Sequence, residues 1–141
     1  MNTIGIEKTV LHALGRNPLA DCPEVRLSIT TDTAELTFPL LIASAEVSAI
    51  APYGNATADV TLTFTLSVPA SDYTQEEVAA MVEETDATLV RRIAAPILSA
   101  HAEEIGVAAH FYDMRWNRTP AAEAQEGNLV FAFEFTGKVQ F

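Results

Sequence analysis

The sequence predicts an α+β fold: a mostly antiparallel sheet with a long kinked helix and a short N-terminal helix packed on it. Three observations predict it. Residues 60–68 alternate without a break, with Val60, Leu62, Phe64, Leu66 and Val68 on one parity and Thr61, Thr63, Thr65 and Ser67 on the other, the period of a half-buried strand. Residues 74–105 change to spacings of three and four, the period of an amphipathic helix. The chain then closes on a second alternating run, Leu129, Phe131, Phe133, Phe135, Val139 and Phe141. Strands that follow one another through turns pair antiparallel, and a sheet with one apolar face needs a helical layer over it.

Taken in order, the elements begin with a helix. Ile4, Val10, Leu11 and Leu14 fall near helical spacing, Asn2 or Thr3 can cap the first turn, and Glu7 lies toward the positive end of the dipole. Gly15-Arg16-Asn17-Pro18 ends it, and a loop with Asp21, Cys22 and Pro23 follows. Val25, Leu27 and Ile29 then alternate with Arg26, Ser28 and Thr30 as a strand, and Asp32-Thr33 offers a turn. Leu36, Phe38, Leu40 and Ile42 make a second strand, in which Pro39 predicts an edge position or a bulge. The apolar parity reverses at Val47, Ala49 and Ala51, which predicts a bulge or tight turn near residues 43–45. Pro52-Tyr53-Gly54-Asn55 turns the chain into the central strand.

Thr74-Gln75-Glu76-Glu77 is a capping box, and Val78, Val82, Thr85, Leu89 and Ile93 form the stripe that follows. Pro96 lacks the N–H of a helical interior and must kink or restart the helix. Ile97, Leu98, His101 and Ile105 continue the apolar face, and Gly106 stops it. Residues 107–116 are apolar and aromatic on both faces, residues 117–127 read as a polar mobile loop, and residues 128–141 form the last strand. No repeat or linker divides the chain, so the expectation is one α+β domain over residues 1–141.

A chain of 141 residues with 49% hydrophobic content can bury a real core and is not broadly disordered. No apolar run approaches the roughly 20 residues of a membrane helix, and the first residues lack a signal peptide's basic flank and apolar stretch. The expectation is a soluble protein, not bound to a membrane, made in a reducing cytoplasm, where the single Cys22 has no internal partner. The net charge is −11. Eight acidic against three basic residues fall before position 74, and seven against two between 74 and 106. That balance works against binding a nucleic-acid backbone, which takes clustered Lys and Arg.

No residue pattern predicts catalysis. Asp21 beside Cys22 would raise the thiol pKa, opposite to what a nucleophile requires. Adjacent pairs such as Glu76/Glu77, Glu83/Glu84 and Glu103/Glu104 diverge by about 100° on a helix and do not act together. The scattered glycines build no phosphate loop. His110 and Asp113, three apart on a strand, point to opposite faces. His101 with Glu103 or Glu104 supplies two metal ligands where zinc takes three or four. The expectation is therefore no catalytic residue, no metal and no cofactor. A partner surface is the better reading, with Arg115, Trp116, Arg118 and the terminal Phe141 as contact residues, because Arg and aromatic side chains at strand ends are typical anchors.

The run Val60-Thr61-Leu62-Thr63-Phe64-Thr65-Leu66 leading into Ala70-Ser71-Asp72-Tyr73-Thr74-Gln75-Glu76-Glu77-Val78 resembles the tail-terminator and tail-completion proteins that join head to tail in long-tailed bacteriophages. The order of elements is similar too: an N-terminal helix at residues 4–14, a helix, a short helix at 97–105, a strand at 107–114, a polar loop and a terminal strand at 129–140. The resemblance implies a structural virion protein of the tail or neck, made in the host cytoplasm. It would form a homo-oligomeric ring, commonly a hexamer, that caps the tail tube and contacts the head connector. DNA would pass nearby without being bound specifically, which suits the acidic balance. Two other readings stand beside it. One is a small acidic export-chaperone-like binding module, which would need a wide exposed apolar groove. The other is a small-molecule enzyme with a site assembled from scattered residues.

Overall fold

The strand that alternates most cleanly lies at the centre of the sheet. In the computed structural model, which describes residues 3–14, 24–27, 40–49, 57–117, 123–125 and 127–140, the elements run α1 (Thr3–Leu14), β1 (Glu24–Leu27), β2 (Leu40–Ala49), β3 (Thr57–Pro69), α2 (Gln75–Arg92), α3 (Ala95–Glu104), β4 (His110–Asn117), β5 (Glu123–Gln125) and β6 (Asn128–Gln140). The sheet order is β1-β2-β3-β6-β4, with β5 also on β6. Among the described residues only β1 and β2 pair in parallel, and every other pairing is antiparallel. The fold is α+β with a mostly antiparallel sheet.

The central pair explains why. β3 and β6 pair along their whole lengths, from Thr57↔Gln140 to Pro69↔Asn128. Phe64 and Phe133 face each other in that register, and the rings of Phe64 and Phe135 meet edge to face at 5.9 Å. Val60, Leu62, Phe64, Leu66 and Val68 are all buried, as the alternation requires, while Thr61, Thr63, Thr65 and Ser67 remain half-buried on the other face. From β6, Phe133, Phe135 and Val139 join the same core.

The helices close this apolar face. Ile6, Val10, Ala13 and Leu14 form the buried stripe of α1, and Leu98 and Ala102 that of α3. On α2 the buried residues are Val78, Met81, Thr85, Thr88 and Leu89, with Val82 only partly covered. The stripe is thus rotated toward Met81 relative to the spacing read from the valines. The capping box forms: Glu77 N–H donates to Thr74 Oγ1 at 3.2 Å, and Thr74 N–H donates to Glu77 Oε1 at 3.0 Å.

At Pro96 the helix stops and restarts. α2 ends at Arg92, Ile93 and Ala94 are non-helical, and Pro96 falls in the first turn of α3, where a missing N–H costs nothing. Gly106, at φ 74°, ends α3. Gly106 N–H reaches the Glu103 carbonyl and Val107 N–H the Ala102 carbonyl, the double bond of a Schellman motif.

Three expectations change. β2 lies between β1 and β3 and is not an edge strand; Pro39 itself is outside the described residues. No bulge interrupts β2 near residues 43–45, since its register with β3 runs unshifted from Leu40↔Ser67 to Ala49↔Ala58. The core takes Leu41, Ala43, Ala45 and Val47, while Leu40 and Ile42 face the other side. The strand carries apolar residues on both parities, so hydrophobicity alone does not tell its inner face. Within residues 117–127, the loop contains β5, which pairs with β6 through Gly127 at φ 83°.

The irregularity sits in β4 instead. Its register with β6 shifts between Tyr112 and Arg115, opposite Gly137, and Asp113 has a φ of 53°. Such a bulge inserts one extra residue and increases the local twist.

Candidate functional site

Two surface regions hold the side chains with chemistry to offer. The first is the outer edge of β4. Its beginning is sealed by α3: Ser99 Oγ accepts from Phe111 N–H at 2.9 Å and donates to the Phe111 carbonyl at 3.3 Å. Beyond the bulge, Arg115, Trp116 and Asn117 have no strand partner on their outer side among the described residues. Arg115 is exposed and pairs with Thr136 on the open face of the sheet. Trp116 turns the other way. Its ring lies 4.7 Å from that of Phe135 and 5.9 Å from that of Phe133, closing the end of the core while staying half-buried. Asn117 Nδ2 donates to Glu134 Oε1 at 2.9 Å. Arg118 and Phe141, the other two expected contact residues, lie outside the described residues, as does Cys22.

Beside Arg115, a shallow depression of about 220 Å³ is lined by Asp59, Asp113, Thr136, Gly137 and Lys138. Its charges are mixed, and it is smaller than the roughly 300 Å³ at which small-molecule sites begin.

The second region lies where α1 and α3 end side by side. His12, in the last turn of α1, and His101, in the last turn of α3, place their Nδ1 atoms 2.7 Å apart. Glu104 Oε2 lies 3.7 Å from His12 Nδ1 and 3.6 Å from His101 Nδ1. The rings meet at 67° with centroids 4.9 Å apart. Arg92 lies on the same end of α1 and donates to the Leu14 carbonyl at 2.9 Å, satisfying one of the helix's orphan acceptors. On the inner side, Glu7 Oε1 accepts from Ala45 N–H at 3.2 Å. Ala45 lies two residues beyond Ala43, the last residue of β2 paired with β1 among the described residues.

The sequence singles out His101 and Glu104 but not His12, because nothing in the spacing of residues 12 and 101 shows that two helices meet there. The capacity to hold a metal, three ligands and not two, comes from tertiary packing. His110 stands apart, stacked on Tyr112 at 6.4 Å.

No protein-family model matches this sequence, and no curated protein matches it either.

Proposed function

We propose that this chain is a structural assembly subunit resembling a phage tail terminator. It forms a ring at the head–tail junction that caps the tail tube and meets the head connector. The observation that carries the reading is the asymmetry of the sheet's two ends. One end is the parallel strand β1; the other is the short open edge Arg115–Asn117, twisted by a bulge. A closed ring needs two different surfaces that fit each other head to tail, and unlike edges supply them. Arg115 and Trp116 form the joint from this side, with Arg118 adjoining it in sequence, while Phe141 follows Gln140, which pairs with His110 at the other end of β4. The net charge of −11 keeps passing DNA from adhering. The protein is not an enzyme on this reading.

The export-chaperone alternative is less well supported, because Val90 and Ile97 are the exposed large hydrophobics among the described residues and do not amount to a wide groove.

The test is the native mass of the full chain, alone and with tail tubes. A ring of identical subunits is expected, and Arg115→Glu should shift it toward monomer while leaving the far-UV spectrum unchanged. A protein that stays monomeric in both settings overturns the proposal. Truncating residues 137–141 is a poorer test, since Val139 is buried and pairs with both Ala58 and Phe111.

A further inference from the structure

We infer that His12, His101 and Glu104 form a binding site for a divalent transition metal, best suited to Zn²⁺, that ties α1 to α3. One ligand atom from each residue falls in a group no wider than 4.8 Å. The set of two imidazoles and one carboxylate is one that zinc uses with a fourth position left to water. Imidazole nitrogens also select against Mg²⁺ and Ca²⁺, which prefer oxygen ligands.

The geometry is close to what coordination requires. Tetrahedral ligands at zinc distances stand about 3.3 Å apart. The two contacts to Glu104, at 3.6 and 3.7 Å, must shorten slightly, and the His12–His101 contact, at 2.7 Å, must open by about half an ångström. Both adjustments are small side-chain rotations. The side chains of His12 and Glu104 are 43% and 63% exposed, so nothing packed resists them, while that of His101 is more sheltered at 27%. The backbones beneath are held. Ala13 and Leu14 beside His12, and Ala102 beside His101, are buried in the core.

The metal-free contact also describes its own replacement. Two Nδ1 atoms at 2.7 Å share one proton between them. A metal takes both Nδ1 lone pairs, so the ring that donates this proton carries it on its own Nε2 instead, and no proton need leave the pair. Both helices turn their C-terminal ends, with their partial negative charge, toward this cluster. His101 and Glu104 are three apart and lie on one helical face, so a single turn of α3 presents two ligands and α1 supplies the third. The site is separate from the β4 edge, and the inference stands whether or not the chain forms a ring.

The experiment is a Zn²⁺ titration of untagged, chelator-stripped protein against a chromophoric competitor. One zinc per chain is expected, with a rise in melting temperature on loading. His12→Ala and His101→Ala should each weaken binding at least about tenfold, since even outer-shell partners cost that much. Glu104→Gln, at an exposed position, tests the carboxylate without threatening the fold. His110→Ala should bind as the parent does. Failure to take up zinc at micromolar concentration overturns the inference, and so does His110→Ala losing as much affinity as His12→Ala.

Discussion

The two faces of the sheet are made by the same strands and obey opposite rules. On the inner face β3 sets Val60, Leu62, Phe64, Leu66 and Val68 against three helices, and each is essentially inaccessible. On the outer face the same strand sets Thr61 and Thr63 between Glu46, Ser44, Thr136 and Glu134, and Thr65 and Ser67 between Ile42, Leu40, Ala132 and Val130. These β-branched and hydroxyl side chains suit a pleated surface without needing a cover. Phase separates a packed interior from a face on which the side chains of β3 are half-buried, and side chains on the two faces should respond to substitution very differently.

The largest effect should come from the inner face. Phe64→Ala removes a ring that meets Phe135 edge to face and faces Phe133 across the ladder. It should cost about 3–5 kcal/mol in a denaturant titration. A loss below about 1 kcal/mol would mean the inner face is looser than its burial indicates.

Gly137→Ala comes next. A Cβ there would collide with the Met114 sulfur and stand 3.0 Å from the Met114 Cα and 3.2 Å from the Asp113 carbonyl. The sulfur can swing away but the backbone cannot, so the expected cost is about 1–3 kcal/mol. Adding Met114→Ala should recover only part of it. Full recovery in the double mutant, measured by thermal melts, would show that the side chain alone sets the fit.

Thr74→Ala removes one half of the capping box and should lower stability by about 1 kcal/mol. The smallest effect belongs to the outer face: Thr63→Val keeps the β-branched shape and should stay within about 0.5 kcal/mol of the parent. A destabilisation there as large as that of Thr74→Ala would show that the outer face is covered in the working protein, and native mass measurements on the same variant would tell whether a second copy covers it.

The elements differ in how far the sequence disclosed them. β3, β6 and α2 were legible because their pattern and their residue preferences agree: threonines alternate with valines and phenylalanines in the strand, and a capping box opens the helix. β2 was not, because Leu40, Leu41 and Ile42 place apolar groups on both faces and the register depends on neighbouring strands. For the candidate sites the same division holds. Arg115 and Trp116 could be picked out by residue type, yet which of the two faces the core is set by a bulge that no local pattern marks. His12 and His101 are 89 residues apart and meet only because two short helices pack their ends together.

The bulge at Asp113 works as a frame-setter. Counting by twos from the buried Phe111, an uninterrupted strand would turn residue 115 inward and residue 116 outward. The inserted residue restores the reverse: Trp116 lies opposite Phe135 and Arg115 opposite Thr136. Deleting Asp113 would leave both where they are, since Met114 alone would then stand opposite Gly137 and the ladder would run unshifted from Phe111↔Val139 to Trp116↔Phe135. A relative of this protein that lacked one residue here could keep the arginine and the tryptophan in the same order, on a strand without the bulge. What the extra residue adds to this edge is twist, and one such residue can be lost without exchanging which side chains face the core.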